Sequence, residues 1–181
     1  MVDLERAAAA AHAHDVAHGK APQKHIPRIA IVTCSDTRTL EEDSAGAALE
    51  DLIRELGWKV IDRTIVPDRI NDIGAAIVRA TDELDADVVL TCGGSGLSLR
   101  DVTPEATQLV CQRNVPGIVE AMRAYSFAIT PNAALSRAVC MQRDHHLVVN
   151  LPGSEKAARE NWEGLKPMLP HAISMMAGEG H

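Results

Sequence analysis

The chain has 181 residues, with 18 Lys and Arg against 25 Asp and Glu, for a formal net charge of −7. Its 46% hydrophobic and 24% charged residues suit one domain with a full core and exclude wholesale disorder. No apolar run reaches the roughly eighteen residues of a membrane-spanning helix, and the acidic balance, with Trp58, Tyr125, Phe127 and Trp162 as the only aromatics, excludes a basic, base-stacking nucleic-acid surface.

Residues 1–27 differ from the rest. Ala7 to Ala11 favour helix, and His12, His14, His18 and His25 follow among Gly19, Pro22 and Pro27. His14 and His18 share a helix face at i, i+4 spacing, as a metal pair would, but no third ligand follows at a familiar spacing. The segment reads as an N-terminal extension, helical or flexible, ahead of a domain over 28–178. Cys34, Cys92, Cys111 and Cys140 form no CxxC pair, and no apolar signal core precedes them. A cytoplasmic protein with reduced thiols is expected.

Arg28 to Thr33 is a short β-branched run and reads as a buried strand. A polar loop over Ser35–Asp43 follows. Ala45, Ala48, Leu49, Leu52, Ile53 and Leu56 recur at helical spacing, with Asp43 as N-cap and Gly57 as the stop. Trp58 to Val66 reads as a second strand, and Ile70, Ile73, Ile77, Val78 and Leu84 as the stripe of a second helix. Asp87 to Thr91 is a third strand, ahead of the loop Cys92–Val102. Thr103-Pro104-Glu105 signals a helix start, with Thr103 as hydroxyl N-cap. Helical pattern then continues to about Ala128, broken at Asn114 to Gly117. Arg137 to Gln142 and His146 to Asn150 read as an antiparallel pair around Arg143-Asp144. Ser154 to Ala177 is helical, interrupted near Pro167 and Pro170.

Strands alternating with amphipathic helices predict an α/β fold: a three-layer α/β/α sandwich with a mostly parallel sheet and one antiparallel hairpin. Ligands of such sheets bind beyond the C-terminal strand ends. That rule selects the loops 34–43, 67–69, 92–103 and 151–154.

Those loops hold the candidate chemistry. Gly93, Gly94 and Gly96 around Ser95 let backbone N–H groups converge on phosphate or carboxylate oxygens, although a plain tight turn has the same glycines. Neither a P-loop nor a dinucleotide fingerprint is present. Asp68 and Asp101 fall at the same sheet edge, as carboxylates for Mg²⁺ beside phosphates do. Helix capping is the competing role of Asp68 and an Asx turn that of Asp101. Asp36 is a further candidate, and Pro152-Gly153-Ser154 precedes a helix N-terminus that suits anions. His145 and His146, at the hairpin turn, are assigned no chemistry.

The run Thr91-Cys-Gly-Gly-Ser-Gly-Leu-Ser-Leu-Arg-Asp-Val-Thr-Pro-Glu-Ala106 resembles the glycine loop and RDVTPEA signature of the MoaB/Mog family of molybdenum cofactor biosynthesis. Ser35-Asp36 with Asp43-Ser-Ala-Gly46, Val66-Pro67-Asp68, Leu135-Ser136-Arg137 and Asn150-Leu-Pro-Gly-Ser154 resemble four more family landmarks in the same order. Most members carry Thr where Cys92 and Ser95 stand; Ser95 keeps the hydroxyl and Cys92 does not. The resemblance, over about residues 27–177, implies the family's molybdopterin-binding fold and a homotrimer, with a hexamer as the larger alternative. It implies Mg²⁺-dependent transfer of AMP from ATP to the terminal phosphate of molybdopterin, releasing pyrophosphate, before hand-off to a molybdate-insertion protein. By the same resemblance Asp68 and Asp101 are catalytic and hold the metal. Ser35, Asp36, Gly93, Gly94, Ser95, Gly96, Arg100, Ser136, Arg137, Pro152, Gly153 and Ser154 bind ligand. A non-catalytic molybdopterin-binding or carrier protein of the same fold is the alternative.

Overall fold

A computed structural model of the chain describes residues 25–178. The sequence-based reading of residues 1–24, with His14 and His18, lies outside them.

Among the described residues six strands form one sheet: β1 (Arg28–Cys34), β2 (Lys59–Val66), β3 (Val88–Cys92), β4 (Arg113–Asn114), β5 (Cys140–Arg143) and β6 (His146–Leu151), in the order β2-β1-β3-β6-β5-β4. β2, β1, β3 and β6 run parallel. β5 is antiparallel to β6, and β4 to β5. The expected hairpin is therefore present, and β4 adds a short edge strand inside a stretch whose pattern reads only as a break between helices.

The helices are α1 (Ser44–Glu55), α2 (Ile70–Val78), α3 (Thr103–Val110), α4 (Pro116–Phe127), α5 (Glu155–Leu165) and α6 (Leu169–Met176). They cover both faces of the sheet because successive strand side chains point to opposite sides. Ile29, Ile31, Val88 and Leu90 face Leu49 and Ile53 of α1, Met122 of α4, Trp162 and Leu165 of α5, and Ile173 of α6. Ala30, Val32, Val89 and Val148 face Ile73 and Ile77 of α2 and Ala106 of α3.

Local chemistry explains the boundaries. Asp43 caps α1 as expected, accepting from the Gly46 N–H at 2.9 Å. Gly57 ends α1 in the left-handed region at φ 74°. Trp58 falls outside β2 and presents its ring edge-on to buried Trp162, with centroids 5.9 Å apart. α2 passes into a π turn at Arg79–Glu83, where the Thr81 hydroxyl donates to the carbonyls of Ile77 and Val78. The Thr103 cap is corrected: Thr103 is the first helical residue, and Val102 precedes it without a side-chain bond.

β5 starts at Cys140 rather than Arg137 because the preceding backbone is already engaged. The Arg137 N–H donates to the Ser95 carbonyl, and the Val139 N–H to Asn150 Oδ1. Asn150 is fully buried. Its Nδ2 donates to the hydroxyls of Thr91 and Thr107, each at 2.9 Å, so one amide joins β3, β6, α3 and the segment leading into β5. Asn150→Ala leaves those buried groups unpaired and is expected to cost at least about 2 kcal/mol, read as a lower urea midpoint at unchanged slope.

Candidate active site

Four loops leave the C-terminal ends of β1, β2, β3 and β6, and they meet. The Ser35 N–H donates to the Val66 carbonyl at 2.9 Å, and the Gly93 N–H to the Leu151 carbonyl at 3.0 Å. Gly93 and Gly94 take φ of 104° and 62°, a region that side chains disfavour. A Cβ on Gly93 would stand 2.6 Å from the Cys34 carbonyl oxygen, and one on Gly153 would stand 3.0 Å from Gly93 Cα. Side chains there would push three loops apart.

Between these loops lies a cleft of about 550 Å³, within the range of small-molecule sites. Ser35, Gly93, Gly94, Ser95, Gly96, Asp101, Ser136, Pro152, Gly153 and Ser154 line it. Ser154 also caps α5 by accepting from the Ala157 N–H, so this helix N-terminus opens on the cleft as an anion site would.

Asp36, Asp68, Arg100 and Arg137 stand just outside the lining. Asp68 does not cap α2; Arg69 holds that position. Its Oδ1 is buried without a hydrogen-bond partner, against the Cα of Gly94, where an added Cβ would lie 3.3 Å away. Burial, followed by the charges of Asp36 and Asp101, pushes the Asp68 carboxyl above its ordinary value. Asp36 accepts from the Asp68 N–H at 3.1 Å and from Arg100. Those bonds, the Arg100 one first, hold its carboxyl below the usual range. Asp101 Oδ2 accepts the N–H groups of Gly96 and Ser98 at 3.1 and 3.2 Å, so the carboxylate both shapes its loop and faces the cleft.

Arg137 is committed to the fold of that loop. Its guanidinium donates to the carbonyls of Gly96 and Asp101 and pairs with Glu105. The cleft takes its unpaired positive charge elsewhere. Arg38 donates to the Gly153 carbonyl at 2.8 Å and Arg123 to the Ala138 carbonyl at 3.1 Å. Neither forms an ion pair among the described residues, and both line the cleft. Sequence reasoning missed both. Arg38 lies in a loop that the strand-end rule had selected, so it was within reach. Arg123 sits mid-helix on α4, with no local signal. Burial pushes the Cys34 thiol up to about 12 and that of Cys92 well above its ordinary value, which disfavours the reactive thiolate at both.

A family model described as "Probable molybdopterin binding domain" matches residues 30–171. The chain belongs to this family. It is 36% identical over 154 residues to the molybdopterin adenylyltransferase of Helicobacter pylori strain 26695, covering 83% of this chain and 88% of the relative. It is 40% identical over 144 residues to molybdenum cofactor biosynthesis protein B of Bacillus cereus, covering 78% and 85%. The solved molybdopterin biosynthesis enzyme MoaB of Thermus thermophilus superposes with a TM-score of 0.78 at 39% identity, over 84% of this chain and 98% of that one. The MoaB/Mog resemblance and the expected three-layer fold are both borne out.

Two variants test this electrostatic layout. Arg38→Ala is expected to weaken binding of inorganic pyrophosphate, used as a probe anion, about tenfold to a hundredfold, the loss of one charge-assisted bond, as read by titration calorimetry. Asp68→Asn should raise the apo protein's melting temperature at pH 7. The sign follows from linkage: a carboxyl whose pKa is raised on folding contributes stability below its unfolded pKa and loses it as pH rises through the folded value. The neutral amide removes that burden, so the gain should fade as both proteins are scanned at falling pH.

Proposed function

We propose that this chain is a molybdopterin adenylyltransferase that transfers AMP from ATP to the terminal phosphate of molybdopterin. A terminal phosphate oxygen of the pterin attacks the α-phosphorus of ATP. The new P–O bond forms as the bond to the bridging oxygen breaks, and pyrophosphate leaves with that electron pair. Such transfers require positioning and charge neutralisation more than covalent help.

The observation that carries the reading is the unpartnered, buried Oδ1 of Asp68 beside a positive-φ glycine loop that also presents Asp101. Two carboxylates whose charges repel suit a hard divalent cation with oxygen ligands. Asp68 and Asp101 would hold Mg²⁺, which supplies charge neutralisation at the phosphate oxygens. Asp36 supports Asp68 by accepting its backbone N–H and is itself held by Arg100. The backbone at Gly93–Gly96, Ser95 and the α5 N-terminus at Pro152–Ser154 suit phosphate oxygens, and Arg38 and Arg123 add positive charge. No thiol takes part.

The relatives named above support the pterin and the nucleotide as substrates. The family resemblance also supports a homotrimer and hand-off of the product to a molybdate-insertion protein. Four free cysteines are in keeping with a cytoplasmic location. No helix among the described residues is long and apolar enough to cross a membrane.

Pyrophosphate release from molybdopterin, ATP and Mg²⁺ by the purified protein is the direct test. Asp101→Asn keeps an acceptor oxygen for Gly96 and Ser98, so its loop should hold. Turnover should fall by orders of magnitude while pterin binding stays near that of the parent. Pterin binding without pyrophosphate release in the parent protein would move the chain to the carrier reading.

A further inference from the structure

We propose a second site, for a divalent transition-metal ion of the zinc class, at the opposite edge of the sheet. Asp85, His145 and His146 bring one carboxylate and two imidazoles together, with ligand atoms within 4.8 Å of one another. Asp85 precedes β3, and the two histidines stand at the start of β6. All three therefore lie at the N-terminal ends of the strands whose C-terminal ends carry the cleft, and none serves the transfer reaction.

Three features of the arrangement suit a metal ion. His146 is buried, and its Nδ1–H donates to the Ala86 carbonyl at 2.8 Å. That bond fixes the tautomer and leaves Nε2 with its lone pair, the outer partner that metal-bound histidines usually have. The His145 ring lies 4.2 Å from that of His146, centroid to centroid, and a ring nitrogen of each stands within 4.8 Å of the other and of an Asp85 oxygen. The neighbouring acids are spent: Asp87 accepts from His25 and from the Arg28 N–H, and Asp82 pairs with Arg143. Among the described residues, the Asp85 carboxylate takes part in no hydrogen bond or ion pair.

Ligands around zinc stand about 2.0–2.2 Å from the ion and hence about 3.3–3.5 Å from one another. Asp85 and His145 are exposed and can close the remaining distance by rotation, while His146 stays fixed. Two imidazoles and a carboxylate leave a fourth position for water. The ion would clamp the turn after the π segment to the β5–β6 hairpin and stabilise the folded state by mass action.

The test is Zn²⁺ titration of the metal-stripped full chain by calorimetry, paired with melting curves in Zn²⁺ and in EDTA. His145→Ala alters an exposed side chain. Asp85→Asn keeps a residue that tolerates the left-handed backbone at φ 52°. A third variant, His12→Ala/His14→Ala/His18→Ala, removes the histidines of the N-terminal extension. The expected result is a Zn²⁺ ion that binds the parent and the triple variant alike and raises the melting temperature of both. In His145→Ala and in Asp85→Asn it should bind at least tenfold more weakly. The proposal is overturned if the parent takes no Zn²⁺, if neither single variant weakens it, or if binding disappears with the N-terminal histidines.

Discussion

The approach of three backbones at the C-terminal sheet edge is the constraint on which the cleft depends. Gly93 lies against the Cys34 carbonyl on one side and Gly153 on the other. Only residues without a Cβ permit that distance. Once the loops after β1, β3 and β6 are this close, Arg38 can bond the Gly153 carbonyl across two of them. The glycine loop is then held from outside: Arg137 grips two of its carbonyls, and Asp101 binds two of its N–H groups. The loop is a rigid cradle because both ends of its peptide dipoles have partners.

Rigidity there has an electrostatic cost that stays local. Asp68, Asp36 and Asp101 stand near one another on an already acidic chain. Asp36 is relieved by Arg100, and Asp101 by backbone donors. Of the three carboxylates, Asp68 keeps an oxygen, Oδ1, that is buried and unpaired. Unsatisfied buried oxygens are uncommon in folded proteins, and a site that trades stability for function is where one is expected. Below the loops, Asn150 ties β3, β6 and α3 together through hydroxyl partners, so the platform does not yield to that repulsion.

Much of this was legible in the residues. The β-branched runs at Arg28–Thr33 and Asp87–Thr91, the helical stripe ending at Gly57 and the Asp43 cap each express local preference, and each stands where expected. The loops came from topology: a parallel sheet places its ligands beyond its C-terminal strand ends. Thr103 illustrates the limit of local preference. Its hydroxyl resembles a cap in sequence, yet the loop delivers the chain in a geometry that makes it the first helical residue. Trp58 and β4 show the same limit, since Trp58 is drawn to Trp162 and β4 exists only because β5 lies beside it.

Periodicity, glycine placement and motif order along the chain carry the α/β class, the order of the helices and of every strand but β4, the four loops and the family. The tertiary structure decided which charges are free. Arg100 and Arg137, ligand-binding candidates by the family resemblance, pair with Asp36 and Glu105 in space. Arg38 and Arg123 carry the unpaired charge into the cleft. It also decided that Asp85, far from His145 in sequence, shares a point with it at the other end of the sheet. Charge compensation and ligand clusters are distances between remote residues, and no local pattern encodes them.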